Sequence, residues 1–266
     1  MLYKRVLSGL LFLPLFYLVA WKLPPAYFTV LVLAAVAIGQ HEFYGMARAR
    51  GYRPGIALGI LVGALLVLEF HHPLAPALGR FFPVAAGVLV VMIARLFSPM
   101  PVDGAIEDVA STVLGVFYVA MLFAFQVSIR AGVDGKQWLV FLYFIIWASD
   151  IGAYSIGIPF GKHRLYEKVS PKKSIEGLAG ALAASAGMAL LCRVWFMPSI
   201  GSGEIVVIAL ALAAAGTIGD LVESLFKRAA GVKDSGSLIP GHGGILDRMD
   251  SMLFAAPVLY YYLRMR

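Results

Sequence analysis

The chain has 266 residues, 61% of them hydrophobic and only 14% charged, with a formal net charge of +7. Soluble domains carry about 25% charged residues, so this deficit excludes an ordinary water-soluble protein and points to lipid as the solvent. No basic run with interleaved aromatics suggests nucleic acid, and the single Cys192 excludes an intrachain disulfide or a zinc site built on clustered cysteines.

Nine apolar segments follow in chain order, at roughly 6–22, 26–47, 55–70, 81–97, 108–129, 137–158, 176–197, 204–224 and 245–264. About 20 apolar residues cross a bilayer as a helix, and the loops between these segments are short and rich in Pro, Gly and charge. The first run follows Lys4 and Arg5 but has no small-x-small cleavage site before Lys22, so it reads as a retained span rather than a signal peptide. The expected fold is an all-α, polytopic integral membrane bundle of about nine transmembrane helices. It forms a single membrane domain over 1–266, with N-terminal helices in 1–136 and the polar motifs in 137–266. No internal repeat is evident.

Cytoplasmic loops of membrane proteins carry the excess of Lys and Arg. With the N-terminus in the cytoplasm, fifteen of the 22 basic residues fall inside and seven outside. That orientation places the two long polar loops, 159–175 and 225–244, on the cytoplasmic side.

Acidic residues then gather at one depth. Asp150 lies about 20 Å into its span at a 1.5 Å rise per residue, and Asp220 approaches the same face near the end of another. Asp247 and Asp250 sit in the first turn of the last segment. A carboxylate in mid-bilayer costs about 2.5–3.5 kcal/mol unless paired or solvated, and hard divalent cations bind through carboxylate oxygen. Asp220, Glu223, Ser224 and Lys227 fall on one helical face. Simpler readings stand beside this one. Asp247 and Asp250 would complement a helix N-terminus, Glu223 and Lys227 would make a surface pair, and Asp150 would pair with a lysine.

The loop KDSGSLIPGHGGILDRMD, 233–250, adds glycines whose backbone approaches a ligand closely. His242-Gly243-Gly244 directly before a helix suits a phosphate, because successive N–H groups and the helix dipole attract anions. The other loop, GKHRLYEKVSPKKSIEG from Gly161 to Gly177, is basic. It reads either as a topology anchor touching anionic lipid or as a phosphate-holding segment through Ser170, Lys172, Lys173 and Ser174. It is not a Walker P-loop.

The run from Ser224 to Asp250 closely resembles the hallmark motif of phosphatidate cytidylyltransferases (CDP-diacylglycerol synthases), matching Lys227-Arg228, Lys233-Asp234, Pro240, His242-Gly243-Gly244, Asp247-Arg248 and Asp250 without a gap. SPKKSIEG, with Ser174 where Thr is usual, WASDIGAY from Trp147 and GDLVESLFKR from Gly219 also fit. HEFYGMARARG, from His41, is only loosely similar. The resemblance implies a membrane bundle, often a homodimer, in the cell (inner) membrane with its active site open to the cytoplasm. Its substrates would be CTP and the lipid phosphatidic acid, its products CDP-diacylglycerol and pyrophosphate, and its cofactor Mg²⁺, with a second cation compatible. Asp220, Asp247 and Asp250 are assigned to metal binding and catalysis, with Asp150 as a further ligand and Lys233 as a catalytic cation. Ser170, Lys172, Lys173, Ser174, Ser224, Lys227, Arg228, His242, Gly243, Gly244 and Arg248 are assigned to substrate. Nearest rivals are a CTP-dependent polyprenol kinase and a CDP-archaeol synthase. A cation-coupled transporter is disfavoured by the missing repeats.

Overall fold

The computed structural model describes residues 14–74, 76–78, 82–236 and 243–266. Part of the first predicted span, with Lys4 and Arg5, lies outside the described residues, as do Arg80, Pro240, Gly241 and His242. A π-helical turn at Leu18–Lys22 precedes α1 (Pro25–Ala49), α2 (Ile56–His71), α3 (Phe82–Leu96) and α4 (Ala105–Ala131). There follow α5 (Gly135–Phe160), strands β1 (Arg164–Tyr166) and β2 (Ser170–Ser174), then α6 (Ile175–Phe196), α7 (Ser202–Ala230) and α8 (Leu246–Met265). Helices α1, α4, α5, α6 and α7 are long and apolar enough to cross a membrane, and α2 and α3 are shorter apolar helices. Each agrees with a predicted segment to within a few residues, because in lipid every backbone N–H must bond within its own helix.

One expectation needs correction. The basic loop contains a small antiparallel hairpin, with Arg164 opposite Ser174 and Tyr166 opposite Ser170, so the fold is nearly all-α. Polar residues alternate too weakly there to mark strands in the sequence.

Local chemistry explains the helix ends. Pro25 opens α1 at a position where a missing N–H costs nothing, and Gly51 follows its end at φ 87°. Ser174 caps α6 by accepting from the Gly177 N–H at 3.1 Å.

The chain divides into two compact units, Met1–Ala131 with Phe226–Met249, and Gly132–Leu225 with Asp250–Arg266. In the first, a buried polar network ties three helices. Gln40 donates to the Gly59 carbonyl (3.0 Å) and to the Tyr44 hydroxyl (3.1 Å), which donates to the Thr112 carbonyl (3.0 Å). Phe43, Tyr118 and Phe226 form a triangle of ring contacts, 5.0–5.7 Å between centroids, that holds the end of α7 to α1 and α4. Tyr118 sits in a π-helical turn of α4, Val116–Met121. In the second unit α5 and α6 pack backbone to backbone, since a Cβ on Gly152 would strike the Gly180 carbonyl and one on Gly180 would strike Gly152. Small residues permit this close approach in membrane helix pairs.

Candidate active site

In the first unit the centre is Asp247, in the first turn of α8. Its Oδ1 accepts from Lys227 Nζ at 2.6 Å. Its Oδ2 accepts from the backbone N–H of Ser235 (3.0 Å) and Gly244 (2.8 Å), and lies 2.9 Å from Ser235 Oγ. The side chains of Lys227 and Asp247 are 13% and 8% exposed. Gly243, at φ 81°, gives the left-handed turn that brings Gly244 to the carboxylate.

A second carboxylate stands in the same cluster. Glu42, from α1, accepts from Ile245 N–H at 3.0 Å (Oε1) and Leu246 N–H at 2.8 Å (Oε2), and its Oε2 lies 3.2 Å from Ser235 Oγ. The amides at the start of α8 that seemed suited to a phosphate thus donate here to Asp247 and Glu42. Sequence reasoning missed Glu42 and Ser235. An ionisable residue within a predicted span is itself a functional signal, and Glu42 lies in the stretch from His41 that matched only loosely.

In the second unit Asp220 Oδ2 pairs with Lys173 Nζ at 2.6 Å, and Ser224 Oγ donates to its Oδ1 at 3.4 Å. This bond bears out the one-face spacing of Asp220 and Ser224. Lys173 reaches Asp220 from β2, so the hairpin positions the lysine. Asp250 lies within electrostatic reach of Asp220, Glu223 and Asp150, and its Oδ1 accepts from the Ser251 N–H at 2.6 Å. Glu223 is fully buried, at 0% exposure, which overturns its reading as half of an exposed surface pair. It lies within electrostatic reach of Asp250.

The remaining predicted residues are more dispersed. Lys172, Lys233 and Arg248 are exposed, as is Arg228, which donates to the Val232 carbonyl at 3.4 Å. Asp150 is exposed on α5, Ser170 is half-buried at the start of β2, and Ser174 is buried as the α6 cap. His242 lies outside the described residues.

The acidic set of the second unit has the donor chemistry of a Mg²⁺ site. Hard oxygen ligands suit Mg²⁺, which usually takes one or two carboxylates and completes its shell with water and substrate phosphate. Asp220, Glu223 and Asp150 lie within electrostatic reach of Asp250, and Lys173 pairs with Asp220. Among the described residues, no three His, Cys, Asp or Glu side chains are arranged to hold a metal ion, so these carboxylates offer the donor chemistry without a preformed cluster.

Comparison with known proteins covers the whole chain. The Cytidylyltransferase family matches residues 3–266. A phosphatidate cytidylyltransferase of Bacillus subtilis (strain 168) is 34% identical over 98% of this chain and 97% of its own length. That of Synechocystis sp. is 32% identical over 89% of this chain and 88% of its own. One from Staphylococcus saprophyticus is 40% identical over a shorter region, 57% of this chain and 58% of its own length. With residues 3–266 matched by the family and a relative 34% identical along 98% of it, the chain belongs to the cytidylyltransferase family.

Proposed function

We propose that the chain joins CTP to phosphatidic acid, giving CDP-diacylglycerol and pyrophosphate at the cytoplasmic face of the cell membrane. The observation that carries this reading is the relationship to phosphatidate cytidylyltransferases along 98% of the chain. A phosphate oxygen of phosphatidic acid attacks the α-phosphorus of CTP. The new P–O bond forms as the bond from the α-phosphorus to the β-bridging oxygen breaks, and that electron pair leaves with pyrophosphate. The nucleophile is already anionic near neutral pH, so no dedicated base is needed, and catalysis rests on positioning and charge.

The chain's own residues supply both. Lys172 and Lys173 on the hairpin, and Lys227, Arg228, Lys233 and Arg248 around the motif loop, attract the phosphates, with Ser170, Ser224, His242 and the Gly243 backbone as further contacts. Asp220 and Asp250 would hold Mg²⁺ directly or through water, with Asp150 as a further candidate and room in the chemistry for a second cation. A cation held there would neutralise charge that builds on the leaving group. A lipid acceptor and a water-soluble nucleotide require a site where hydrocarbon meets cytosol, and the excess of Lys and Arg on the polar loops supports that placement. A homodimer fits the resemblance.

The test is purified protein in detergent with CTP, phosphatidic acid and Mg²⁺. Pyrophosphate and a cytidine-containing lipid should appear in equal amounts, and both should vanish when Mg²⁺ is chelated. Product formed only from a polyprenol or an archaeal ether lipid would reassign the acceptor. For the orientation, cysteines replacing Lys168 and Lys233 in a Cys192→Ala background should resist an impermeant thiol reagent outside intact cells. Labelling of both would reverse it.

A further inference from the structure

We propose that Glu42 is a positioning residue for this reaction, a carboxylate from the N-terminal half that holds the two flanks of the motif loop and, through Ser235, the orientation of Asp247. The proposal rests on the cytidylyltransferase reading above. Glu42 is 7% exposed on α1, and a buried carboxylate is costly unless hydrogen bonds satisfy it. Its partners are the first amides of α8, Ile245 and Leu246, and the hydroxyl of Ser235. The first amides of a helix have no partner within it, and a local side chain usually caps them. Here the cap comes from a residue 203 positions earlier than Ile245.

Capping alone does not account for the arrangement. Ser235 precedes the loop segment 236–243 and Ile245 follows it, so one carboxylate holds both ends. A Cβ on Gly236 or on Gly244 would collide with that carboxylate, so the motif keeps these positions bare to admit Glu42. The Ser235 hydroxyl lies between Glu42 Oε2 (3.2 Å) and Asp247 Oδ2 (2.9 Å), with one proton to donate between them. Asp247 in turn orders Lys227. Glu42 therefore acts on the motif from behind, without touching substrate.

Glu42→Gln tests this, because it keeps the shape but faces one α8 amide with an NH₂ group instead of an acceptor. At saturating CTP, phosphatidic acid and Mg²⁺, kcat should fall at least about tenfold while KM for CTP moves less than about threefold, and Glu42→Asp should recover part of the loss. Amide hydrogen exchange, read without any substrate, should accelerate at least about tenfold in peptides covering 233–236 and 243–249 and stay unchanged in 135–160. If Glu42→Gln does not fold, Ser235→Ala should show the same pattern more mildly. A kcat within about twofold of the parent, or unchanged exchange around the loop, overturns the proposal. So does a lower KM for CTP with preserved turnover, which would make Glu42 a stand-in that substrate phosphate displaces. If the parent protein makes no CDP-diacylglycerol, the functional reading fails, and the exchange measurement alone decides whether Glu42 holds the loop.

Discussion

Asp247 and Asp220 are the same residue type in neighbouring motifs, yet their surroundings differ. Asp247 is 8% exposed and meets one ammonium, two backbone amides and one hydroxyl. Asp220 is 33% exposed and meets one ammonium at 2.6 Å and one hydroxyl at 3.4 Å. Around Asp247 the donors match the acceptors, and the carboxylate organises its own loop. Around Asp220 and Asp250 several carboxylates act on one another electrostatically, and Lys173 pairs with Asp220. The first carboxylate is satisfied by donors of its own loop, and the second is more open and is the one proposed to meet Mg²⁺. Residue type alone does not separate these surroundings.

The comparison breaks most sharply at Asp220. Asp220→Asn should lower Mg²⁺-dependent turnover at least about a hundredfold, roughly 2.7 kcal/mol, with little change in melting temperature, and Asp250→Asn should follow it. Near-normal turnover of Asp220→Asn at saturating Mg²⁺ would remove it from any metal site.

Asp247→Asn should also lower turnover, but its signature is stability. Loss of a charged acceptor with four contacts should cost about 2 kcal/mol, seen as a lower melting temperature without substrate. A variant that melts like the parent protein but is inactive would move Asp247 from scaffold to chemistry.

The two hairpin lysines sharpen the contrast further. Lys173 is paired with Asp220 whereas Lys172 is exposed. Lys173→Gln should raise KM for CTP or phosphatidic acid about tenfold, and Lys172→Gln less than about threefold. Equal, negligible effects would leave the loop as a topology anchor.

The smallest effect belongs to Ser174. As an N-cap it contributes about 1 kcal/mol to stability, so Ser174→Ala should lower the melting temperature slightly and Ser174→Thr should restore it. If Ser174→Ala instead raises KM for CTP at unchanged stability, the hydroxyl contacts substrate.

Much of this protein was legible in its sequence. Lipid tolerates only helices whose backbone bonds are internal, so apolar length alone located α1 to α7 to within a few residues. The i, i+4 spacing of Asp220 and Ser224 announced their hydrogen bond, because helical geometry is local. The motif residues carried the family through their order and spacing.

Other features are decided only by tertiary structure. The β1–β2 hairpin, RLY and SPKKS, is short and mostly polar, so no clear alternation marks it. The burial of Glu223 depends on neighbours outside its own helix turn, and a helical wheel cannot distinguish a packed carboxylate from a solvated one. Glu42 meets Leu246 across 204 positions of chain. No local propensity encodes such a contact: it exists because the end of α7 docks on α1 through Phe226 and Phe43, and because Gly236 and Gly244 leave space for a carboxylate that the start of α8 requires.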